Sequence, residues 1–354
     1  MRNTPHYLLL TLLICFVTTV QVSAQTSEAS IVTQEQPIRD EPALTPPSAS
    51  NNMPGMGMGN TGMGGPGAAP GYSVTWMPAQ QVQGQPTNLE VIQQSLNAGF
   101  PLYRQDGNMV LLTTRLSSTL LQSQAVMPDS HQPLPEQLWN ISLGAMYIRK
   151  FDGGSSLGVM GSLGSASDKP FNQLRDYSPM LLAFYRLPVR EYDAWMFSLM
   201  YSPVGEINFP IPGVSYQYQP SDNFRMNIGI PFSLMYRPLD DVTIDVSYMI
   251  LRTINAQVNW KLTDCWNVYG KYSWGNQSWF LADRTEDRER LFMYDMRLMG
   301  GVRYALTDKL NFDVGIGYVF DRFFFTGTKS NEMQHDRIDL APGLIATLSL
   351  QLRF

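Results

Sequence analysis

The sequence predicts an all-β protein, an antiparallel up-and-down transmembrane β-barrel of about 14 strands (range about 12 to 16) behind a disordered N-terminal segment. Three observations carry this. Apolar and polar residues alternate strictly over many short segments from about Leu89 onward. The interleaved residues include many charges, whereas a soluble barrel or sandwich would be apolar on its inner face. One short turn motif also recurs at hairpin spacing. Composition agrees: 44% of the 354 residues are apolar and 16% charged, with 17 Phe, 17 Tyr, 7 Trp and 2 Cys, which excludes a disulfide scaffold and a coiled coil. A formal net charge of -5 without any Lys/Arg cluster argues against a nucleic-acid partner.

The chain begins with an address. Arg2 gives a positive start, Tyr7 to Val20 a short apolar core, and Val22-Ser23-Ala24 a small-residue cleavage signature before Gln25. Residues 1–24 therefore read as a secretory signal peptide. A spanning helix needs about 18 or more apolar residues, more than this run offers. Cys15 follows Ile14, where a lipoprotein signal wants a small residue, so no lipid anchor is expected.

Residues 25–87 change character, becoming rich in Gln, Pro, Gly and Met with almost no aliphatic periodicity. Such a segment cannot bury enough apolar surface to offset its ordering entropy, and it reads as a disordered linker. Its core, Asn51 to Gly71, is low-complexity. Met53, Met56, Met58 and Met63 carry thioethers suited to Cu(I), but no His or Cys accompanies them, and no metal site is expected.

Residues 88–354 are the expected barrel. In Phe224 to Tyr236, the apolar Phe224, Met226, Ile228, Ile230, Phe232, Leu234 and Tyr236 interleave with Arg225, Asn227, Gly229 and Ser233. Period 2 means strand. Aromatics stand at the ends of apolar faces, as Trp139 and Tyr147 do, roughly 20 Å apart along a membrane normal for tilted strands. That is the layout of interfacial girdles around a lipid-facing band. On the opposite face Arg225, Asp245, Lys271, Asp295, Arg297, Arg303, Asp313 and Arg353 become candidate lumen-lining residues, mixed in sign and favouring neither anions nor cations.

The recurring turn is aromatic, x, Pro or Leu, x, Asp. It appears at Tyr218-Gln-Pro220-Ser-Asp222, Tyr236-Arg-Pro238-Leu-Asp240, Trp260-Lys-Leu262-Thr-Asp264 and Tyr304-Ala-Leu306-Thr-Asp308. Pro presets φ and Asp bonds its own downstream backbone, so these are tight turns closing hairpins at one end. Asn276 to Arg290 and Asp321 to Arg337 read instead as long, charged connectors of the other end. Within the first, Asp283, Arg284, Asp287 and Arg288 form a charge cluster with three readings: a solvated loop pairing its own charges, an inward constriction, or a grip on lipid phosphates. The chain ends with Leu350, Leu352 and Phe354 on one face, the pattern of an assembly signal read by barrel-insertion machinery.

The stretches Gly99-Phe100-Pro101-Leu102, Tyr216-Gln-Tyr218-Gln-Pro220-Ser-Asp222, Leu281-Ala-Asp283-Arg284-Thr285-Glu-Asp287-Arg288 and Tyr318-Val-Phe320-Asp321-Arg322 resemble an uncharacterised bacterial family, a domain of unknown function described as an outer-membrane, porin-like β-barrel. The likeness covers about residues 90–354. It implies a barrel and an outer-membrane location, and it brings no activity.

Residues that could carry catalysis are sparse. His131 and His335 fall in loop-like segments; His335 beside Asp336 and near Ser330 is the one place for a dyad, and Cys265 in a tight turn has no metal-spaced partner. No catalytic residue, metal or cofactor is expected. The leading expectation is a porin-like channel for small solutes in the outer membrane, with lipid and the assembly machinery as partners. The alternatives are a closed anchoring barrel, a transporter of hydrophobic compounds and, last, a lipid-modifying enzyme.

Overall fold

The computed structural model describes residues 70–190, 192–249 and 253–352. The signal peptide, the linker up to residue 69, Arg353 and the terminal Phe354 of the assembly signal lie outside the described residues.

Alternation becomes strand almost everywhere it was read. The strands are β1 (Gly71–Gln81), β2 (Asn88–Gln105), β3 (Asn108–Gln122), β4 (Gln137–Lys150), β5 (Ser156–Ser167), β6 (Ser178–Pro188), β7 (Ala194–Tyr201), β8 (Ile211–Ser221), β9 (Phe224–Gly229) and β10 (Phe232–Leu239). They continue with β11 (Val242–Met249), β12 (Thr253–Lys261), β13 (Trp266–Phe280), β14 (Arg290–Thr307), β15 (Leu310–Gly327), β16 (Arg337–Leu340) and β17 (Gly343–Leu352). Each pairs antiparallel with its sequence neighbour, except that β16 and β17 both lie on β15, and β1 closes the ring by pairing with both β17 and β2.

β16 and β17 are two halves of one stave. Arg322 pairs with Leu340 and Val319 with Gly343, a single unbroken register on β15. Ala341-Pro342 interrupts it because Pro has no N–H to give the ladder, and the Ala341 amide turns instead to the Gln81 carbonyl at 2.9 Å. The barrel thus has 16 staves, two more than the central expectation of about 14.

One added stave is β1, which corrects the expected barrel start at residue 88: Gly71–Gln81 belongs to the wall, not to the linker. Its backbone groups are satisfied on both sides, by Leu350 and Leu348 of β17 opposite Tyr72 and Val74, and by Leu96 and Gln94 of β2. That closure removes the last free edges of the sheet.

The four recurrent turns all fall at one end, between β8 and β9, β10 and β11, β12 and β13, and β14 and β15. At the same end Asp106-Gly107 joins β2 to β3 with both φ positive (49° and 75°), a two-residue turn that matches strand twist. The other end carries connectors 123–136, 168–177, 202–210, 281–289 and 328–336. The last two are shorter than the sequence suggested, because β13 runs on to Phe280 and β15 to Gly327. Strand length is uneven around the ring: β2, β14 and β15 have 18 residues, and β7, β10 and β11 only 8.

The two faces separate along most of the wall, although toward the long-loop end the outward-parity Phe292, Phe323 and Phe325 are buried together. Ile316, Leu344 and Leu298 are 69%, 66% and 59% exposed and point outward. At the short-turn end the outer face carries aromatic pairs, Trp195 edge-on to Tyr216 at 4.9 Å, Tyr218 and Tyr236 edge-on on either side of Phe224, and Trp266 tilted on Tyr304 at 4.6 Å. The inner face holds the packed core. Its main cluster sits toward the long-loop end, where Met77, Val91, Leu121 and Leu138 meet Trp279, Leu291, Met293 and Phe324, sealed by Ala125, Met127 and Leu134 of the 123–136 connector.

Candidate functional site

Strand parity fixes what faces inward. Ser273 pairs with Arg297, Arg303 with Asp313, and Asp245 with Gln257, all on the face opposite Leu298, Val302, Val314 and Val258. Arg225, Asp245, Lys271, Asp295, Arg297, Arg303 and Asp313 therefore share the inner wall, on β9, β11, β13, β14 and β15. Of the expected assembly residues, Leu350 and Leu352 lie on β17, on the face that carries Leu344 and Leu348.

The inner charges are held by specific partners. Arg297 grips Asp295 through Nε and Nη2, both at 2.7 Å, and its Nη2 also reaches Gln93 Oε1 on β2 at 3.1 Å. Arg303 Nε donates to Asp313 at 3.2 Å, and the Tyr269 hydroxyl donates to the same carboxylate at 2.8 Å. Arg225 Nε donates to Gln219 at 3.0 Å, and Asn259 donates to Asp245 at 3.1 Å. Asp245 is exposed although it faces inward, so water reaches this part of the lumen.

Three inner cations escaped the sequence reading: Arg115 on β3, Arg186 on β6 and Arg322 on β15. Arg115 donates to Asn97 at 3.1 Å and Arg186 to Gln217 at 2.9 Å. Alternation around Arg186 (Leu181, Tyr185 and Leu187 outside) could have revealed it. Arg322 was hidden by a bulge opposite Asp295, where Asp321 takes φ 48° and shifts the parity of all that follows on β15. Together with Arg225, Lys271, Arg297 and Arg303, these three outnumber the carboxylates Asp245, Asp295 and Asp313 on the described inner wall.

The lumen has two sides. Leu111, Met146, Met160, Leu182 and Met200 stand side by side in register across β3 to β7, and Met109, Met180 and Phe184 pack on them. Facing another sector, Arg225, Met235, Asp245, Gln257 and Lys271 form a matching row across β9 to β13.

Connectors tie the long-loop mouth together. Arg284 Nη1 and Asp176 Oδ1 form an ion pair at 2.8 Å, both side chains 1% exposed. The same guanidinium donates to the carbonyls of Leu281, Arg175 and Asp287, and stacks over Phe280 at 4.6 Å. Arg175 returns a bond to Asp287 at 3.2 Å. Of the expected charge cluster, Arg284 and Asp287 thus bind the 168–177 connector, while Asp283 and Arg288 remain exposed. That corrects the reading of a loop pairing with itself.

Arg290 bonds the Val204 carbonyl, and the Ser330 amide bonds Glu206 at 2.9 Å, so the 202–210 connector joins the assembly. Asp336 completes it. Its carboxylate accepts from the Ser130 hydroxyl at 2.6 Å, the Asp129 amide at 2.8 Å and the Thr326 hydroxyl at 3.2 Å. Burial pushes this carboxyl up, but the hydrogen bonds from Ser130, Asp129 and Thr326 outweigh it and hold it below its ordinary value. His335 stands 3.8 Å from Asp129, while the neighbouring Asp336 carboxylate is bonded to Ser130 and Thr326 and the Ser330 amide to Glu206. Cys265 is exposed in its turn. Among the described residues no cluster of His, Cys, Asp or Glu fits a metal ion.

No family model matches the chain and no curated protein does, in keeping with the uncharacterised family that its motifs resemble. Solved structures similar to it share low identity with the chain. An outer membrane channel from Pseudomonas putida F1 is 10% identical over 80% of this chain and 96% of its own, with a TM-score of 0.33. A Pseudomonas aeruginosa FadL homologue is 11% identical over 80% and 89%, TM-score 0.31. The beta domain of the Bordetella autotransporter BrkA is 10% identical over 81% and 99%, TM-score 0.31.

Proposed function

We propose that the protein is an outer-membrane channel for small solutes whose long-loop mouth is latched shut by its connectors. One observation carries this reading: a closed ring with an apolar outer face also has a charged inner face, on which Asp245 meets water. A ring of 16 strands is wide enough for an aqueous path, whereas a soluble barrel would reverse the two faces. The signal peptide and the terminal Phe354 supply the route to the outer membrane through the assembly machinery.

The test is single-channel conductance of the refolded mature chain in a planar bilayer, beside Arg297→Ala and Arg284→Met. Wild type shows brief, infrequent steps, Arg284→Met lengthens the open time, and Arg297→Ala alters ion preference. Insertion without current in all three forms overturns the channel. A second reading, a transporter of hydrophobic compounds, is favoured by the row of Met146, Met160 and Met200 with its neighbours, because thioethers adapt to irregular apolar ligands.

A further inference from the structure

Among the described residues, Arg322 is an inner-wall cation whose three guanidinium nitrogens all lack a hydrogen-bond partner. It is 2% exposed, and its Nε, Nη1 and Nη2 are all buried without a protein partner. The charged groups acting on it are Asp295 and Arg297, and Asp295 already spends both oxygens on Arg297. A guanidinium cannot shed its proton, so a buried one demands an acceptor.

Two further features of the same wall point to a ligand. Gly275 pairs with Asp295 on one side and Thr253 on the other, and a Cβ placed on it meets no atom within 4 Å. The inner wall is therefore open beside Asp295. Asn255, one inward position from Thr253 on β12, is 7% exposed, with both Oδ1 and Nδ2 buried and unpartnered. Apolar side chains border this polar patch toward the long-loop end: Val319 and Phe324 flank Arg322 along β15, Met293 flanks Asp295 on β14, and Trp279 lies further along β13 beyond Gln277.

We propose that the wall around Gly275 binds a solute with one carboxylate and an apolar body, the carboxylate taking the Arg322 guanidinium and the Asn255 amide. The charge balance selects the head group: Arg322 adds one positive charge beyond the Arg297–Asp295 pair, which one carboxylate neutralises. Charge-assisted bonds to a guanidinium fix its orientation. The apolar neighbours select the body. This names a solute class for the channel and rests on that reading for how the solute reaches the wall.

The experiment is calorimetric titration of the full chain, refolded in a neutral detergent, with 4-phenylbutyrate, 4-phenylbutanol and acetate. Wild type binds phenylbutyrate at least tenfold more tightly than either of the others. Arg322→Gln and Gly275→Leu each lower that affinity at least tenfold, with the β-sheet circular dichroism unchanged. Gly275→Leu fills the open space without altering charge, so it decides the matter should Arg322→Gln fail to refold. Acetate binding as tightly as phenylbutyrate, or undiminished affinity in Gly275→Leu, overturns the proposal. Current without phenylbutyrate binding overturns this site alone, and binding by a barrel that carries no current overturns the channel and leaves the site.

Discussion

Arg284 shows what a residue gains from a partner far away in sequence. Its type and loop were legible, but Asp176 is 108 positions distant, and nothing local distinguishes it from the exposed Asp283. Removing one member of a buried pair leaves the other charge uncompensated, so Arg284→Met should destabilise the mouth by about 3–5 kcal/mol, with Arg284→Met/Asp176→Asn recovering part of the loss. Thermal unfolding followed by heat-modifiable gel mobility checks this; a double variant no better than the single would count against the pair. Asp336 gives a pH dependence. Its carboxyl is held below the ordinary 3.8, so its contribution is present above that pH and drains away as pH falls through the lower folded value. Protection factors of residues 125–135, corrected for the intrinsic pH dependence of exchange, should therefore stay high at pH 7 and 5 and fall as pH drops through the lowered value. Equal protection at pH 3 and 7 would refute the role of Asp336. The cation Arg322 was illegible because one extra residue, Asp321, inverted the parity on which the reading depended.

At the scale of elements, alternation and turn chemistry made β4 to β15 readable, because each hairpin is fixed by residues within about ten positions of one another. β1 was missed for the opposite reason. Its pattern is diluted by Pro78 and by Gln80 and Gln81, its bulge falls between Met77 and Gln80, and one of its two partners, β17, lies far away in the sequence. The Asp106-Gly107 turn offers a direct test of local geometry. A Cβ at Gly107 would lie 2.9 Å from the Lys150 carbonyl on a φ of 75°, so Gly107→Ala should cost about 1–2 kcal/mol and slow closure of the β2–β3 hairpin. Refolding kinetics in detergent would show it, and a rate equal to wild type would mean the turn forms after the barrel has closed.

The whole molecule has an acidic sequence and a cationic interior. The net charge of -5 belongs largely to turns and connectors, while Arg115, Arg186, Arg225, Lys271, Arg297, Arg303 and Arg322 share the inner wall with Asp245, Asp295 and Asp313. Reversal potentials in a tenfold KCl gradient should accordingly report preference for chloride, reduced in Arg225→Gln/Lys271→Gln, since cations without a carboxylate in an ion pair set selectivity more than ion-paired ones. A cation-preferring current would show that the carboxylates govern the path. Sequence alone could not weigh this, because it identifies inward positions without showing which charges cancel.

The uneven staves have a consequence for how a molecule arrives. At about 3.3 Å per residue and a tilt near 40°, 18-residue β14 rises roughly 45 Å, well beyond an apolar band about 25 Å tall, while 8-residue β10 and β11 reach only about 20 Å. The wall is therefore tall on the flank of β14 and low on the flank of β10 and β11. On the proposed function, an amphiphile dissolved in the bilayer surface would meet the low flank by sideways diffusion in two dimensions, so the membrane itself would concentrate the solute before the protein touched it.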